Sequence, residues 1–365
     1  DPTVFTKPTI SQSSYNSLIS PTSGDPLNNR AVDGLYPTGS TFKPITATAA
    51  LESGVWSLAD TYDDTGQYCF GQGGLCLHNS GNVANGSLDL VNAIRVSDDV
   101  FFYNLGAKLN ADPTTHPQGG ALQQWARLFG IGSTTGVDLP YESSGNLPDP
   151  RWRASLNRRE FQCDTATGPF KGHPKHPAGG CGIADGTNRP WTVGDNVNLA
   201  VGQGDVLVTP LQLAVAYAAI ANGGTIVRPH IGLRVENNIG DKVLQNIDPP
   251  PTRHISINPT YLDAIRTGLR EAASAPGGTS AAVMGNFPEQ VYGKTGTAQH
   301  TNQNDQAWYA CFVPATATSK PIVVVVTVEQ GGFGAVAAAP VARQILSQWF
   351  FNKMGPYQAG TSQTL

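Results

Sequence analysis

The chain has 365 residues, with 41 glycines, 27 prolines and 14% charged side chains. That length supports one large domain or two lobes with a sizeable core, and 39% hydrophobic content with so few charges excludes a disordered polyelectrolyte. A formal net charge of −4 offers no basic stripe to displace counterions, which excludes nucleic acid as the main partner.

Residues 1–35 are polar and turn-rich, and the opening Asp1-Pro2-Thr3 has neither a basic nor an apolar leader, as expected of a mature or excised soluble portion. Tyr36-Pro37-Thr38-Gly39 then punctuates the chain ahead of a small-residue helix predicted over Ser40 to Ser53. Pro44 fixes its start, because proline is tolerated only in a first helical turn. Residues 55–85 read as loops, Leu88 to Leu109 as one helix and Ala121 to Phe129 as another. Residues 140–195, rich in proline and glycine, read as a long surface excursion. Thr209 to Asn222 is a helix with Pro210 in its first turn and Gly223-Gly224 as its stop. Gln290 to Ala298, Ala307 to Val313 and Ile322 to Val328 read as strands, and Val341 to Phe351 as a closing amphipathic helix. The run from Ile322 to Val328 is the longest apolar stretch and is strand-sized, so no membrane span is predicted. Strands grouped late and helices grouped in the middle imply an α+β fold.

Five cysteines divide into Cys69 and Cys76, Cys163 and Cys181, and a lone Cys311 inside an apolar run. Two loop-closing disulfides and one buried thiol fit an oxidising compartment. Zinc is the competing reading, with Cys69, Cys76 and His78 joined by Asp60, Asp63 or Asp64, or with Cys163, His173, His176 and Cys181.

Ser40-Thr41-Phe42-Lys43 sets a hydroxyl and an amine on one face of a helix start. Serine becomes a nucleophile beside a base, and lysine is one when burial or a like charge keeps it neutral. A capping serine with a solvated lysine fits the same four residues. Ser97-Asp98-Asp99 follows, and Ser and Asp are equally at home as helix N-caps. Lys294-Thr295-Gly296-Thr297 places a glycine inside a strand, where another backbone or a ligand comes close, beside a cation and hydroxyls suited to a carboxylate.

Ser-x-x-Lys, Ser-x-Asp and Lys-Thr-Gly-Thr in this order resemble the penicillin-recognising serine acyltransferases. Flanking segments narrow the resemblance to class B penicillin-binding proteins: Gly34 to Pro44, Thr135-Gly136-Val137-Asp138-Leu139-Pro140, Val201-Gly202-Gln203-Gly204 and Glu329-Gln330-Gly331-Gly332. Class B members usually carry Ser-x-Asn as second motif, and Asp99 in its place is similar to the elongation type, which is penicillin-binding protein 2-like.

The resemblance implies a β-lactamase/transpeptidase-like fold, an antiparallel sheet flanked by helices with a mostly helical second lobe. The expected division is a transpeptidase domain over 1–350, with a helical lobe at about 55–205 inserted in a sheet lobe, and a tail over 351–365. It implies a D,D-transpeptidase for stem peptides ending in D-Ala-D-Ala that β-lactams also acylate. Ser40 would be nucleophile, Lys43 the base, Ser97 a proton relay and Asp99 an acceptor orienting Lys43. Lys294 would hold Lys43 neutral by repulsion. Thr295, Gly296 and Thr297 would line the carboxylate and oxyanion site. No cofactor is implied. A glycosyltransferase of the elongation machinery is the expected partner, with membrane attachment through an upstream anchor on the extracytoplasmic face. A β-lactamase, a β-lactam sensor and an inactive scaffold of wall synthesis are the rival readings.

Overall fold

The computed structural model describes residues 9–20, 22–70, 74–164, 189–299, 303–315 and 320–361. In chain order the first elements are helix α1 (Gln12–Leu18), a 3₁₀ turn (Gly39–Phe42) and helix α2 (Lys43–Glu52). Strands β1 (Tyr62–Asp64) and β4 (Gly86–Leu88) pair around a hairpin of β2 (Gln67–Phe70) and β3 (Leu75–His78). Helices α3 (Leu90–Val96), α4 (Asp99–Lys108), α5 (Ala121–Leu128), α6 (Pro150–Asp164), α7 (Val193–Ala200) and α8 (Pro210–Asn222) follow. Short strands β5 (Thr225–Ile226) and β8 (Arg253–His254) pair, as do β6 (Arg234–Glu236) and β7 (Val243–Asn246). Helices α9 (Pro259–Ser274) and α10 (Ala281–Met284) lead to β9 (Tyr292–Ala298), β10 (Gln306–Val313), β11 (Ile322–Val328) and helix α11 (Gly334–Phe351).

The late strands form an antiparallel sheet in the order β11-β10-β9, with Lys294 opposite Ala310 and Cys311 opposite Val324. Every residue of β10 is buried, because helices cover both faces. Trp308, Ala310 and Phe312 join the larger core with α2, α4, α8 and α9, and the alternate Ala307, Tyr309, Cys311 and Val313 pack against α10 and α11. Cys311 is thus a buried free thiol, and burial pushes it well above the usual thiol range.

Helix α8 starts and stops as its sequence predicts. Thr209 and Gln212 form a reciprocal capping box, Pro210 occupies the first turn and Gly223 ends the helix at φ 89°. The single helix expected over Leu88 to Leu109 is two. Ser97 adopts a left-handed conformation (φ 63°), and Asp98 caps α4 by accepting the Phe101 N–H at 2.6 Å. Short polar side chains that compete for backbone N–H groups end one helix and begin the next. Residues 140–195 are more than a surface excursion, since α6 lies within them and α7 begins at their end. Helix α9, where no element was expected, buries Leu262, Ile265, Leu269 and Ala272 on one face. Helix α11 begins seven residues before the predicted Val341 and runs through Pro340. Ala335, Ala338, Ala339 and Ala342 bury against the sheet, which offsets the hydrogen bond that proline removes.

Among the described residues no helix is long and apolar enough to cross a membrane.

Candidate active site

The 3₁₀ turn that carries Ser40 is held from two sides. Thr38 and Gly39 donate their backbone N–H groups to the Gly202 carbonyl at 3.1 and 2.9 Å. Gly39 (φ 54°) lies so near β9 that a Cβ there would stand 2.5 Å from the Thr297 carbonyl oxygen, and a Cβ on Gly202 (φ 71°) would meet Thr38 Oγ1 at 2.5 Å. The residues ahead of the turn are fastened to the end of β11. Tyr36 donates its hydroxyl to Glu329 at 2.6 Å and Arg30 pairs with the same carboxylate at 2.9 Å.

Lys43 follows one turn after Ser40 and is fully buried. Its Nζ donates to the Ser97 carbonyl at 2.6 Å and to Ser97 Oγ at 3.2 Å, and it pairs with Asp99 Oδ1 at 2.7 Å. The Phe102 ring centroid lies 5.3 Å away. Asp99 stands at the first position of α4, where the helix dipole favours a negative charge. Asp98 and Asp99 therefore divide the two readings of their motif. Asp98 is the N-cap and Asp99 meets the lysine.

Lys294 is also fully buried and donates to the Thr295 carbonyl at 3.3 Å. Burial, and then the charge on Lys43, hold its amine well below the usual lysine range, while Asp99 acts in the opposite direction. The disfavoured ammonium is that of Lys294, and Lys43 has a carboxylate at 2.7 Å. Thr295 donates its hydroxyl to Thr279 at 2.8 Å, which leaves the Thr279 proton rather than its own for a further acceptor. Thr297 Oγ1 accepts from the Gly334 N–H at 3.4 Å and keeps its proton free to donate. Gly296 lies against the nucleophile turn, where a Cβ would stand 2.6 Å from the Thr38 carbonyl oxygen.

Ser40, Ser97, Asp99, Thr295 and Thr297 all open onto one cleft of about 1060 Å³. Gln203 joins them, with Nε2 3.4 Å from the Thr297 carbonyl. The Val201 to Gly204 segment was legible as a motif, although its place beside Ser40 was not. Thr279 and Asn79 were missed, because neither carries a local sequence signal.

Cys69 and Cys76 stand opposite each other on β2 and β3 and are joined as a disulfide, with Cα atoms 4.0 Å apart. The zinc reading at Asp60, Cys69, Cys76 and His78 is thereby corrected, since its two thiolates are spent on each other. Asp60 instead accepts the Ser57 N–H at 2.8 Å. Cys181, His173 and His176 lie outside the described residues, and with them the second bridge and the second zinc set.

The family described as penicillin binding protein transpeptidase domain matches residues 4–347. The peptidoglycan D,D-transpeptidase MrdA of Acinetobacter baumannii is 29% identical over 345 residues, which cover 90% of this chain and 44% of that protein. The crystal structure of Pseudomonas aeruginosa PBP2 in complex with WCK 5153 is similar at a TM-score of 0.74 and 29% identity, covering 95% of this chain and 68% of that one. A chain of a peptidoglycan synthase complex, solved for the coordination of polymerization and crosslinking, is similar at a TM-score of 0.72 and 28% identity, over 96% of this chain and 52% of that one. The chain thus spans about half the length of the curated relatives it matches.

Proposed function

Because this chain belongs to the penicillin-binding protein transpeptidase family, we propose that it is the acyl-transfer unit of a peptidoglycan D,D-transpeptidase and a target of β-lactams. The observation that carries this reading is convergence. Side chains from the 3₁₀ turn before α2, the α3–α4 junction and β9, far apart in sequence, open onto one cleft around Ser40, with Lys43 of α2 buried against Asp99.

In the proposed reaction Ser40 Oγ attacks the penultimate D-Ala carbonyl carbon as its proton passes to the Lys43 amine. Asp99 neutralises one positive charge in the buried cluster, and burial together with lysine–lysine repulsion opposes the second. The pair of amines is therefore suited to holding one proton fewer than it has sites. Backbone N–H groups of Ser40 and Thr297 would hold the oxyanion, on a turn and strand already fixed in close contact. Collapse breaks the peptide bond, and the leaving D-Ala amine takes its proton from Lys43 by way of Ser97 Oγ. The amine of a second stem then attacks the Ser40 ester, and Ser40 recovers its proton. Thr297, beside Thr295 on the wall of the cleft, would receive the terminal carboxylate. Asp99 accepts and orients, since an ionised carboxylate has no proton to donate.

The domain reading is a helical lobe at about 55–205 inserted in a sheet lobe that ends near residue 350. An extracytoplasmic location is supported by the Cys69–Cys76 disulfide. The partner we propose is a glycan-polymerising enzyme of the elongation machinery, on the likeness to a chain of a peptidoglycan synthase complex.

Labelling with a fluorescent penicillin tests the reading. Wild type should form a stable adduct that maps to Ser40, and Ser40→Ala should form none while keeping its thermal midpoint. No adduct on folded wild type would favour the scaffold, and rapid hydrolysis the β-lactamase. Turnover of a D-Ala-D-Ala peptide separates the transpeptidase from a sensor.

A further inference from the structure

Beneath the Ser97–Asp99 turn lies a buried polar cluster that the reaction above does not use. Asn79, just past the end of β3, is 6% exposed, and the carboxylates of Asp64 and Asp98 beside it are 2% and 1% exposed. Asn79 Oδ1 accepts the backbone N–H groups of Asp99 and Val100 at 2.8 and 3.0 Å. Its Nδ2 donates to Asp64 Oδ2 and the Val83 carbonyl, each at 2.8 Å, and reaches Asp98 Oδ2 at 3.3 Å. With Asp98 capping Phe101, the first three N–H groups of α4 are all bound by side chains. Such groups have no partner within their own helix, so these bonds decide where its first residue sits.

We infer that Asn79 is a positioning residue, which sets the Asp99 carboxylate against Lys43 by fixing the first turn of α4 from the β2–β3 hairpin. The inference rests on the transpeptidase reading, in which Asp99 orients Lys43. Asparagine suits the position because one side chain must accept from a helix and donate to carboxylates at once. Aspartate there would set a third carboxylate against Asp64 and Asp98, and alanine would leave two N–H groups and two carboxylates short of a partner. Asn79 is itself anchored, since its backbone N–H donates to the Gly66 carbonyl at 3.3 Å and the Cys69–Cys76 bridge ties the hairpin it leaves. Asp64 completes the support by accepting the Gly66 and Asn85 N–H groups, both at 2.7 Å.

A double-mutant cycle tests this. The rate of Ser40 acylation by a fluorescent penicillin is measured on folded wild type, Asn79→Ala, Asp99→Asn and the double variant, well below their thermal midpoints. Asn79→Ala should slow acylation roughly tenfold or more in the wild-type background and less than about twofold when Asp99 is already Asn. A general structural role would give the same loss in both backgrounds, and that result, or an unchanged rate, overturns the inference. Should Asn79→Ala not fold, the same cycle is run with Asp64→Asn. That change removes the charge that holds the Asn79 amide with its Nδ2 toward Asp64 and its Oδ1 toward the helix, so a smaller loss with the same pattern is expected and an equal loss in both backgrounds overturns the inference. Labelling of wild type is the control, since its absence counts against the transpeptidase reading and not against the role of Asn79.

Discussion

At the scale of single residues, the two lysines differ in what surrounds them. Lys43 has a carboxylate, a hydroxyl and a carbonyl within hydrogen-bond reach, whereas Lys294 has one carbonyl at 3.3 Å and no exposed surface. Lys43→Arg should lose acylation by roughly 10²–10⁴-fold, because a guanidinium does not give up its proton and cannot act as base. Lys294→Arg should also lower the rate, since it forces a permanent cation where burial and Lys43 already oppose one. Acylation rates of the two variants, taken where circular dichroism shows both folded, check this. If Lys294→Arg kept a rate within about twofold of wild type, a fixed charge at that position would be enough and the argument from burial would fail.

Among the elements, α4 carries a pH dependence of its own. Burial, and secondarily the nearby Asp64 carboxylate, push Asp98 up from 3.8 to about 6, against the bonds it accepts from Phe101 and Asn85. The folded chain therefore binds more protons than the unfolded chain between those values. The contribution of Asp98 to stability thus falls as pH rises through that window and is level above it. Between pH 5 and 7 the loss should be on the order of 1 kcal/mol. Urea denaturation across that range should show this slope in wild type and a flatter one in Asp98→Asn. Equal slopes would mean that Asp98 titrates as an exposed carboxylate does.

For the whole molecule, one core crosses the proposed lobe boundary. Phe101, Phe102 and Leu122 of the helical region pack in one cluster with Phe42, Leu213, Leu269 and Trp308 of the sheet region. Lobes that share a core of this kind should unfold together. Calorimetry should give a single transition with equal calorimetric and van't Hoff enthalpies, and two separated transitions would show that the lobes are independent.

The elements that could be read from sequence were those whose signals are local. Helix α8 announces itself through Thr209, Pro210, Gln212 and Gly223, and the three late strands through β-branched runs between polar turns. Helices α6, α7 and α9 went unread among proline- and glycine-rich neighbours, and the extent of α11 was hidden by Pro340, whose cost only packing on the sheet offsets. The three motifs, their order and their flanks identified the family and singled out Ser40, Lys43, Ser97 and Lys294 as candidates, because such chemistry needs given residue types at given spacings. Which charge meets Lys43, which amine is disfavoured and what holds the first turn of α4 are long-range questions. Asp99, Lys294 and Asn79 come from separate segments, and only the tertiary structure brings them within the few ångströms over which hydrogen bonds and buried charges act.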